Sequence, residues 1–486
     1  MKQDRRPDQP TGNRDADLTR RSLLRRASGA IAAAVLPARV GMAAQPTSPV
    51  MIKLSSYMSE ARGTALPAEV IEKAKQHILD TFAAMISGSQ LPPGRAAIQF
   101  ARAYGGEKVA TVAGSTVLCG PIEAALANGV LAHADETDDS WPGGWHPGCN
   151  VVPAALAAGE QFGISGVQFL RAVALGYDIG TRFIVTLRPG LADTHKSTQS
   201  IGGIFGAAAA AGCGADLNAQ QMRWLLDYTA QQSSGIAAWD RDTDHIEKSF
   251  VFGGMPARSG VTSALLVKSG WTGVDDILSG DDNFLLANSP HGDAAGLIDK
   301  LGERYEVAGT NIKKWTVGSP IQAPLDALEI MLKRRAIDPG QVREVVVRMS
   351  PGAVVDNREM PDICIQHMLA VMLTDKTVTF RSAHDKPRMQ DPAVLRLRAK
   401  VRLDPGTGQQ PLVVVTLEDG TRLSEDVTDV LGTVNNPMTR DQIVTKCRDL
   451  MTPVLGASAS AKLIERTLTL ENMKTIRELR TLLQKT

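Results

Sequence analysis

The sequence predicts a mainly α protein: a large all-helical domain formed by both ends of the chain, with a smaller inserted α+β lid domain. Three observations carry this. From Leu66 to about Asp240 apolar residues recur at helical spacing almost throughout, and between about 310 and 437 the period becomes that of strands before helical spacing returns. Aromatics make up only 4% of the 486 residues while alanine and glycine are plentiful, which suits closely packed helices better than a β-sandwich. At 43% hydrophobic, a chain of this length can bury a large core and form more than one domain.

Taken in order, Pro67 fits the first turn of a helix whose apolar positions Val70, Ile71, Ala74, Ile78, Leu79, Phe82 and Ile86 keep helical spacing until Gly88. Further helices are expected at about 121–134, 153–161, 165–178, 201–213, 217–235 and 256–269. Val342–Met349, Leu397–Leu403 and Leu412–Leu417 read as strands, and Asp419-Gly420 turns the last into a hairpin with Thr421–Leu423. Helices at Pro320–Arg335 and Cys364–Leu373 interrupt them. Thr439 and Gln442 offer a capping box, and a helical run at Ala459–Leu483 ends the chain. The expected domains are therefore a helical unit over 50–309, an α+β unit over 310–436, and helices over 437–486 that complete the first.

The first 43 residues read as an address. Thr19-Arg20-Arg21-Ser22-Leu23-Leu24-Arg25 resembles a twin-arginine export motif, followed by apolar Ala27–Leu36 and a small-residue stretch suited to cleavage after Ala43. This predicts export of a folded protein and a periplasmic location. These residues hold nine Lys/Arg and four Asp, so the remainder, with 44 basic and 48 acidic residues, is mildly acidic. Without a basic tract there is no electrostatic case for nucleic acid, and no uninterrupted apolar run approaches the roughly 20 residues that span a bilayer. Five scattered cysteines, Cys119, Cys149, Cys213, Cys364 and Cys447, suit neither a disulfide framework nor an iron–sulfur cluster.

Chemistry concentrates after the Ala124–Ala132 run. His133, Asp135, Glu136, Asp138, Asp139 and His146 put four carboxylates and two imidazoles within fourteen residues, where neighbouring charges and burial can tune each pKa for acid/base work. Thr194-His195-Lys196-Ser197 brings cations to a helix start, where anions bind well. Lys248 sits beside an apolar, glycine-rich turn, and Lys313-Lys314-Trp315 leads into another helix start. His367 lies in an apolar helical run, where a lone histidine is more often structural. No H-E-x-x-H, G-x-S-x-G, Walker or dinucleotide-binding motif is present.

In order, these segments resemble the MmgE/PrpD family, which includes 2-methylcitrate dehydratases and cis-aconitate decarboxylases. The landmarks are Leu79–Ser89, the acidic loop through His146-Pro147, His195 before its Gly/Ala helix, and Lys248 with Ala257-Arg258-Ser259-Gly260. Lys313 before Pro324-Leu325-Asp326-Ala327-Leu328 and Asn436-Pro437-Met438-Thr439 complete the set. The resemblance runs from about residue 55 to the C-terminus and implies a helical domain plus an α+β lid with the active site between them. His133, Glu136, Asp138 and Asp139 match the family's H-x-x-D-F-D-D pattern, with Glu136 where Asp is usual and Thr137 where an aromatic is usual. His146, His195, Lys248 and Lys313 fall on family active-site positions, and His367 on one that is tyrosine or histidine. Val251 stands where many members have a histidine, in a turn one residue longer; Gln322-Ala323 replaces His-Pro, and Thr316-Val317-Gly318 replaces Pro-Cys-Cys.

The resemblance implies a lyase acting on a small di- or tricarboxylic acid, a 2-methylcitrate dehydratase-like hydro-lyase first. Decarboxylation, isomerisation or epimerisation, and a non-catalytic periplasmic carboxylate-binding protein are the alternatives. The expected catalytic residues are His146 as general acid/base, Glu136 or Asp138 orienting it, and the cations His195 and Lys248. Ser140, Arg258, Lys313 and His367 are expected to bind substrate. No metal and no cofactor are expected, and a homodimer is, since family members commonly form one.

Overall fold

The computed structural model describes residues 46–191, 194–407 and 410–485; the first 43 residues, read above as an export address, lie outside the described residues. The described chain is mainly helical. Its first part runs α1 (Pro49–Glu60), α2 (Ala68–Gly88), α3 (Pro92–Tyr104), a short hairpin β1 (Ala110–Thr111) and β2 (Leu118–Cys119), then α4 (Pro121–Ala132), α5 (Gly148–Phe162), α6 (Gly166–Leu191), α7 (Thr198–Gly214) and α8 (Ala219–Gln232). Helix starts follow local chemistry. Pro121 opens α4, Ser197 caps α7 by accepting from Ser200 N, and Asn218 and Gln221 form a capping box on α8.

Two helices run longer than expected. Helix α5 begins five residues before Pro153, which therefore lies inside its second turn and removes one ladder donor. Helix α6 continues thirteen residues past 178, because its extension is buried along α7 through Gly176, Gly180, Gly202 and Gly206, where added Cβ atoms would strike the facing helix or Trp145. The next segment is continuous: α9 (Ile246–Ser249), a π-helical turn at Phe250–Gly254, and α10 (Met255–Lys268). A π turn holds one more residue than an α turn, so the longer sequence after Lys248 is absorbed without breaking the helix. A one-turn helix, α11 (Phe284–Asn288), follows.

The next region contains α12 (Ser319–Arg334), β3 (Val342–Arg348), α13 (Ile365–Asp375), α14 (Phe380–Ala383), α15 (Pro392–Arg398), β4 (Val401–Asp404), β5 (Val413–Leu417) and β6 (Arg422–Glu425). The sheet order is β4-β3-β5-β6, with β3 parallel to β4 and antiparallel to β5. The expected β5–β6 hairpin forms, and Gly420 takes the positive φ (85°) its turn requires. Leu397–Leu403 is not one strand. Asp391 accepts from the amides of Ala393 and Val394 and Pro392 occupies the first helical position, so residues up to Arg398 form helix before β4 begins.

The chain closes with α16 (Arg440–Leu455), α17 (Ala457–Leu468) and α18 (Arg480–Leu483), and the Thr439/Gln442 capping box is present. The single run expected at 459–483 is broken. Residues 473 and 476 exchange backbone hydrogen bonds with Gly166 and Ile164, which helix continuation would forbid.

Buried apolar side chains form two clusters. One draws on residues 51–312 and 438–483, the other on 315–417 around the sheet, α12 and α13. In the first cluster α4 and the π turn approach so closely that a Cβ at Gly129 would lie 2.4 Å from Gly253 O, and one at Gly253 would lie 2.1 Å from Gly129 O. Only glycine at both positions allows the contact, which sets Phe252 against the end of α4. Gly129→Ala should therefore cost about 1–3 kcal/mol, as overpacking of tight interiors does, read as a lower denaturation midpoint. An unchanged midpoint would show that the two segments separate freely.

Candidate active site

Helix α4 ends at His133, and the chain crosses to α5 through residues 133–147. This loop is polar yet buried: His133, Asp135, Glu136, Thr137, Asp138 and Asp139 are each at most 4% exposed. Buried carboxylates are tolerable only when paired and hydrogen-bonded, and each of the four has its own partners.

Asp139 is an anchor. Its Oδ2 lies 2.6 Å from His77 Nδ1 on α2 and accepts from Tyr177 Oη on α6 at 2.6 Å, while its Oδ1 accepts from Gly148 N at the start of α5 (2.8 Å). Asp135 receives Thr137 through backbone and hydroxyl (2.9 and 2.6 Å) and pairs with His384 Nε2 (3.0 Å), the residue that ends α14. Lys446 from α16 donates to Thr137 O (3.1 Å) and pairs with Asp80 Oδ1 (2.7 Å).

Asp138 and Glu136 face the reactive groups. Asp138 accepts from His133 Nδ1 at 2.9 Å and His146 Nδ1 at 3.2 Å, through different oxygens. Burial would raise its carboxyl, but the two imidazoles hold it well below the usual range. Glu136 binds the Lys248 ammonium directly. Lys313 Nζ donates to Glu136 O (2.8 Å) and lies 3.6 Å from its Oε2 and 3.7 Å from Asp138 Oδ1. Against the cost of burial, Lys248 and Lys313 hold the Glu136 carboxyl far below its ordinary value. The same carboxylates overcome burial to raise the Lys313 ammonium. His133 stacks on Phe252 (centroids 4.7 Å apart) and meets His146 edge-on at 5.0 Å, and burial drives its pKa down, so it serves Asp138 as a neutral donor. Trp239 and Phe252 flank Lys248, at 5.5 and 5.3 Å from Nζ to ring centre.

The structure thus gathers Glu136, Asp138, His146, Lys248 and Lys313 into one cluster. The other sequence candidates stand apart. His195 is exposed in a left-handed turn (φ 55°), and its backbone carbonyl accepts from Ala237 N. Ser140 exchanges backbone hydrogen bonds with Asn311. Arg258 is half-buried on α10 and pairs with no carboxylate among the described residues. His367 is fully buried in the second core, with neither ring nitrogen partnered among the described residues; burial, with Arg398 and Arg388 nearby, pushes its pKa down to about 4. Gln322, expected to line a pocket, spends its side chain on Trp315 N, Trp315 O and Val317 O, clamping the backbone that follows Lys313.

Sequence reasoning missed His245, His384 and Asp362. His245 caps α9 from a left-handed conformation (φ 66°), 4.0 Å from Glu136 Oε1 and 5.2 Å from the His133 ring centre. His384 is 249 residues from its partner Asp135 in sequence, a distance that no local pattern reveals.

Two donor sets could hold a cation: His133, Glu136 and His245, and His133, Asp138 and Cys149, each with ligand atoms within 4.8 Å of one another. The charge balance opposes this. Glu136 already carries two ammonium partners, so a divalent ion would meet two like charges at the same carboxylate.

The described chain is thus a mainly helical scaffold that buries an acidic loop against lysines and imidazoles. The MmgE/PrpD N-terminal domain matches residues 52–295 and the MmgE/PrpD C-terminal domain residues 315–472, so the chain belongs to the MmgE/PrpD family. Its relatives include the cis-aconitate decarboxylase of Aspergillus terreus, 23% identical across 90% of this chain and 96% of that protein. Human cis-aconitate decarboxylase is 25% identical across 86% and 91%, and the cis-aconitate decarboxylase-like protein oryM of Aspergillus oryzae is 24% identical across 89% and 97%.

The Asp135–His384 pair carries a pH signature. Burial alone would lower the His384 pKa, but the Asp135 hydrogen bond and charge, with Asp362 nearby, raise it from 6.5 to about 9. A raised histidine pKa stabilises the fold fully below pH 6.5, and this is lost as pH rises through 9. The stability difference between wild type and His384→Gln should therefore shrink by about 3 kcal/mol between pH 6.5 and 9. A difference that is flat across that range would show that the pair is not an ion pair.

Proposed function

We propose that the chain is a cofactor-independent lyase acting on a small di- or tricarboxylic acid. One observation carries the reading: His146, the most accessible of the clustered imidazoles at 12% side-chain exposure, is oriented by a buried Asp138 while two lysines converge beside it. Proton transfer next to a carboxylate generates an enediolate-like species, and fixed cations stabilise the charge as it develops. Lys248 and Lys313 supply that charge. Asp138 holds His146 through Nδ1 and so leaves the other ring nitrogen free to exchange the proton.

In the hydro-lyase reading, His146 removes the proton from the carbon beside a carboxylate. The C–H pair becomes the new double bond, and the β-hydroxyl leaves as water after taking a proton. In the decarboxylase reading, which the names of the relatives favour, the carbon–carbon bond to a carboxylate breaks, CO2 leaves, and protonated His146 delivers its proton to the carbanion. Both use the same cations and the same imidazole.

The test is incubation of the exported form, from Ala44 onward, with 2-hydroxy di- and tricarboxylates and with unsaturated acids including cis-aconitate, followed by NMR for alkene, solvent proton exchange and CO2. Alkene without CO2 supports dehydration, and CO2 release supports decarboxylation. Silence across the panel, with thermal stabilisation by one acid, would replace the enzyme with a binding protein. His146→Ala should lower kcat about 100- to 10,000-fold, the usual contribution of a general acid/base, with a much smaller change in ligand affinity. Equal losses in both would remove His146 from the chemical step.

A further inference from the structure

His245 has no part in the reading above, yet it is built into the same cluster. The chain enters α9 through it in a left-handed conformation (φ 66°) that L residues seldom adopt. Its ring is 4% exposed, and neither nitrogen has a hydrogen-bond partner among the described residues. Glu136 Oε1 lies 4.0 Å away, too far to satisfy it, and the His133 ring centre is 5.2 Å off. A desolvated imidazole with both nitrogens unsatisfied is an unstable arrangement unless something else enters to bond it. The groups facing it are Lys248, Glu136, His133 and Asp135; burial and the Lys248 charge lower its pKa to about 3, so it stays a neutral donor and acceptor. Two ammonium groups at the adjoining carboxylate make the missing partner an anion's oxygen rather than a cation.

We propose that His245 is a substrate-contacting residue, its neutral imidazole donating a hydrogen bond to a carboxylate oxygen of the acid that Lys248 and Lys313 attract. This rests on the carboxylate reading of the site, and extends it with a residue on the segment that leads into the π turn.

The probe is tricarballylate, a saturated tricarboxylate with no hydroxyl to eliminate. Imidazole 15N spectra of the eight histidines, with His245 assigned by its loss in His245→Phe, should show the His245 ring nitrogens shifting on binding. His245→Phe keeps a ring against His133 and removes both nitrogens. It should weaken tricarballylate binding at least 10-fold while the ligand-free melting temperature holds. His245→Asn, which tolerates the left-handed backbone and restores a donor, should recover much of the affinity. Unshifted His245 nitrogens in protein saturated with tricarballylate would overturn the proposal, as would full affinity in His245→Phe. So would a lower ligand-free melting temperature in both variants with binding unchanged, which marks a structural role. Zinc binding that is lost in His245→Asn and is unaffected by tricarballylate would overturn it in favour of a cation site. If wild type turns over a carboxylic acid and His245→Phe does so equally well, the functional reading stands and this inference alone falls; if wild type binds no acid at all, both fall.

Discussion

Four carboxylates buried on one loop impose the constraint from which the rest of the site follows. Each is matched with donors or cations, among them groups from α2, α5, α6, α9, the end of α14 and Lys313 ahead of α12. A loop held this way cannot relax without unpairing a buried charge, a step that costs several kcal/mol. The acidic loop is thus both the site and the fastening that orders the helices around it, and that rigidity is what proton transfer at fixed distances requires.

The four carboxylates divide the work. Asp139 is committed to His77, Tyr177 and Gly148 N and is fully buried. Asp135 is committed to Thr137 and His384. Asp138 and Glu136 instead engage groups that reach the more open side, His146 and Lys248. The glycine contact between α4 and the π turn then fixes Phe252 against His133, so the imidazole that serves Asp138 cannot rotate away.

Most of the helical architecture was legible because amphipathic spacing, proline starts and capping boxes are local signals. The Thr439/Gln442 box and the Asp419-Gly420 hairpin formed as expected for that reason. Leu397–Leu403 misled because its apolar and charged residues alternate as in a strand, while Asp391 and Pro392 just upstream encoded a helix start. The acidic loop was legible from its density of titratable groups, and Lys248 and Lys313 from their setting. His384 and Asp362 were not, because their only distinguishing property is proximity to a loop more than 220 residues earlier. Gln322 was read as a pocket residue for want of any sequence sign that its amide would be spent on the backbone of Trp315 and Val317.

Contacts that join the two apolar clusters meet at the acidic loop. Lys313, which donates to Glu136 O, is followed two residues later by Trp315 of the second cluster, and Gln322 and Asp326 of α12 hold Trp315 in place. His384, at the end of α14, reaches Asp135. A shift of the sheet region would therefore move the Lys313 ammonium relative to Glu136 and Asp138 and break a buried ion pair in the same motion. The ion pairs that gather Lys313, Glu136 and Asp138 and those that hold the sheet region against the acidic loop are in this sense one set of interactions. Substitutions in α12 or α14 far from His146 should for that reason register in its chemistry.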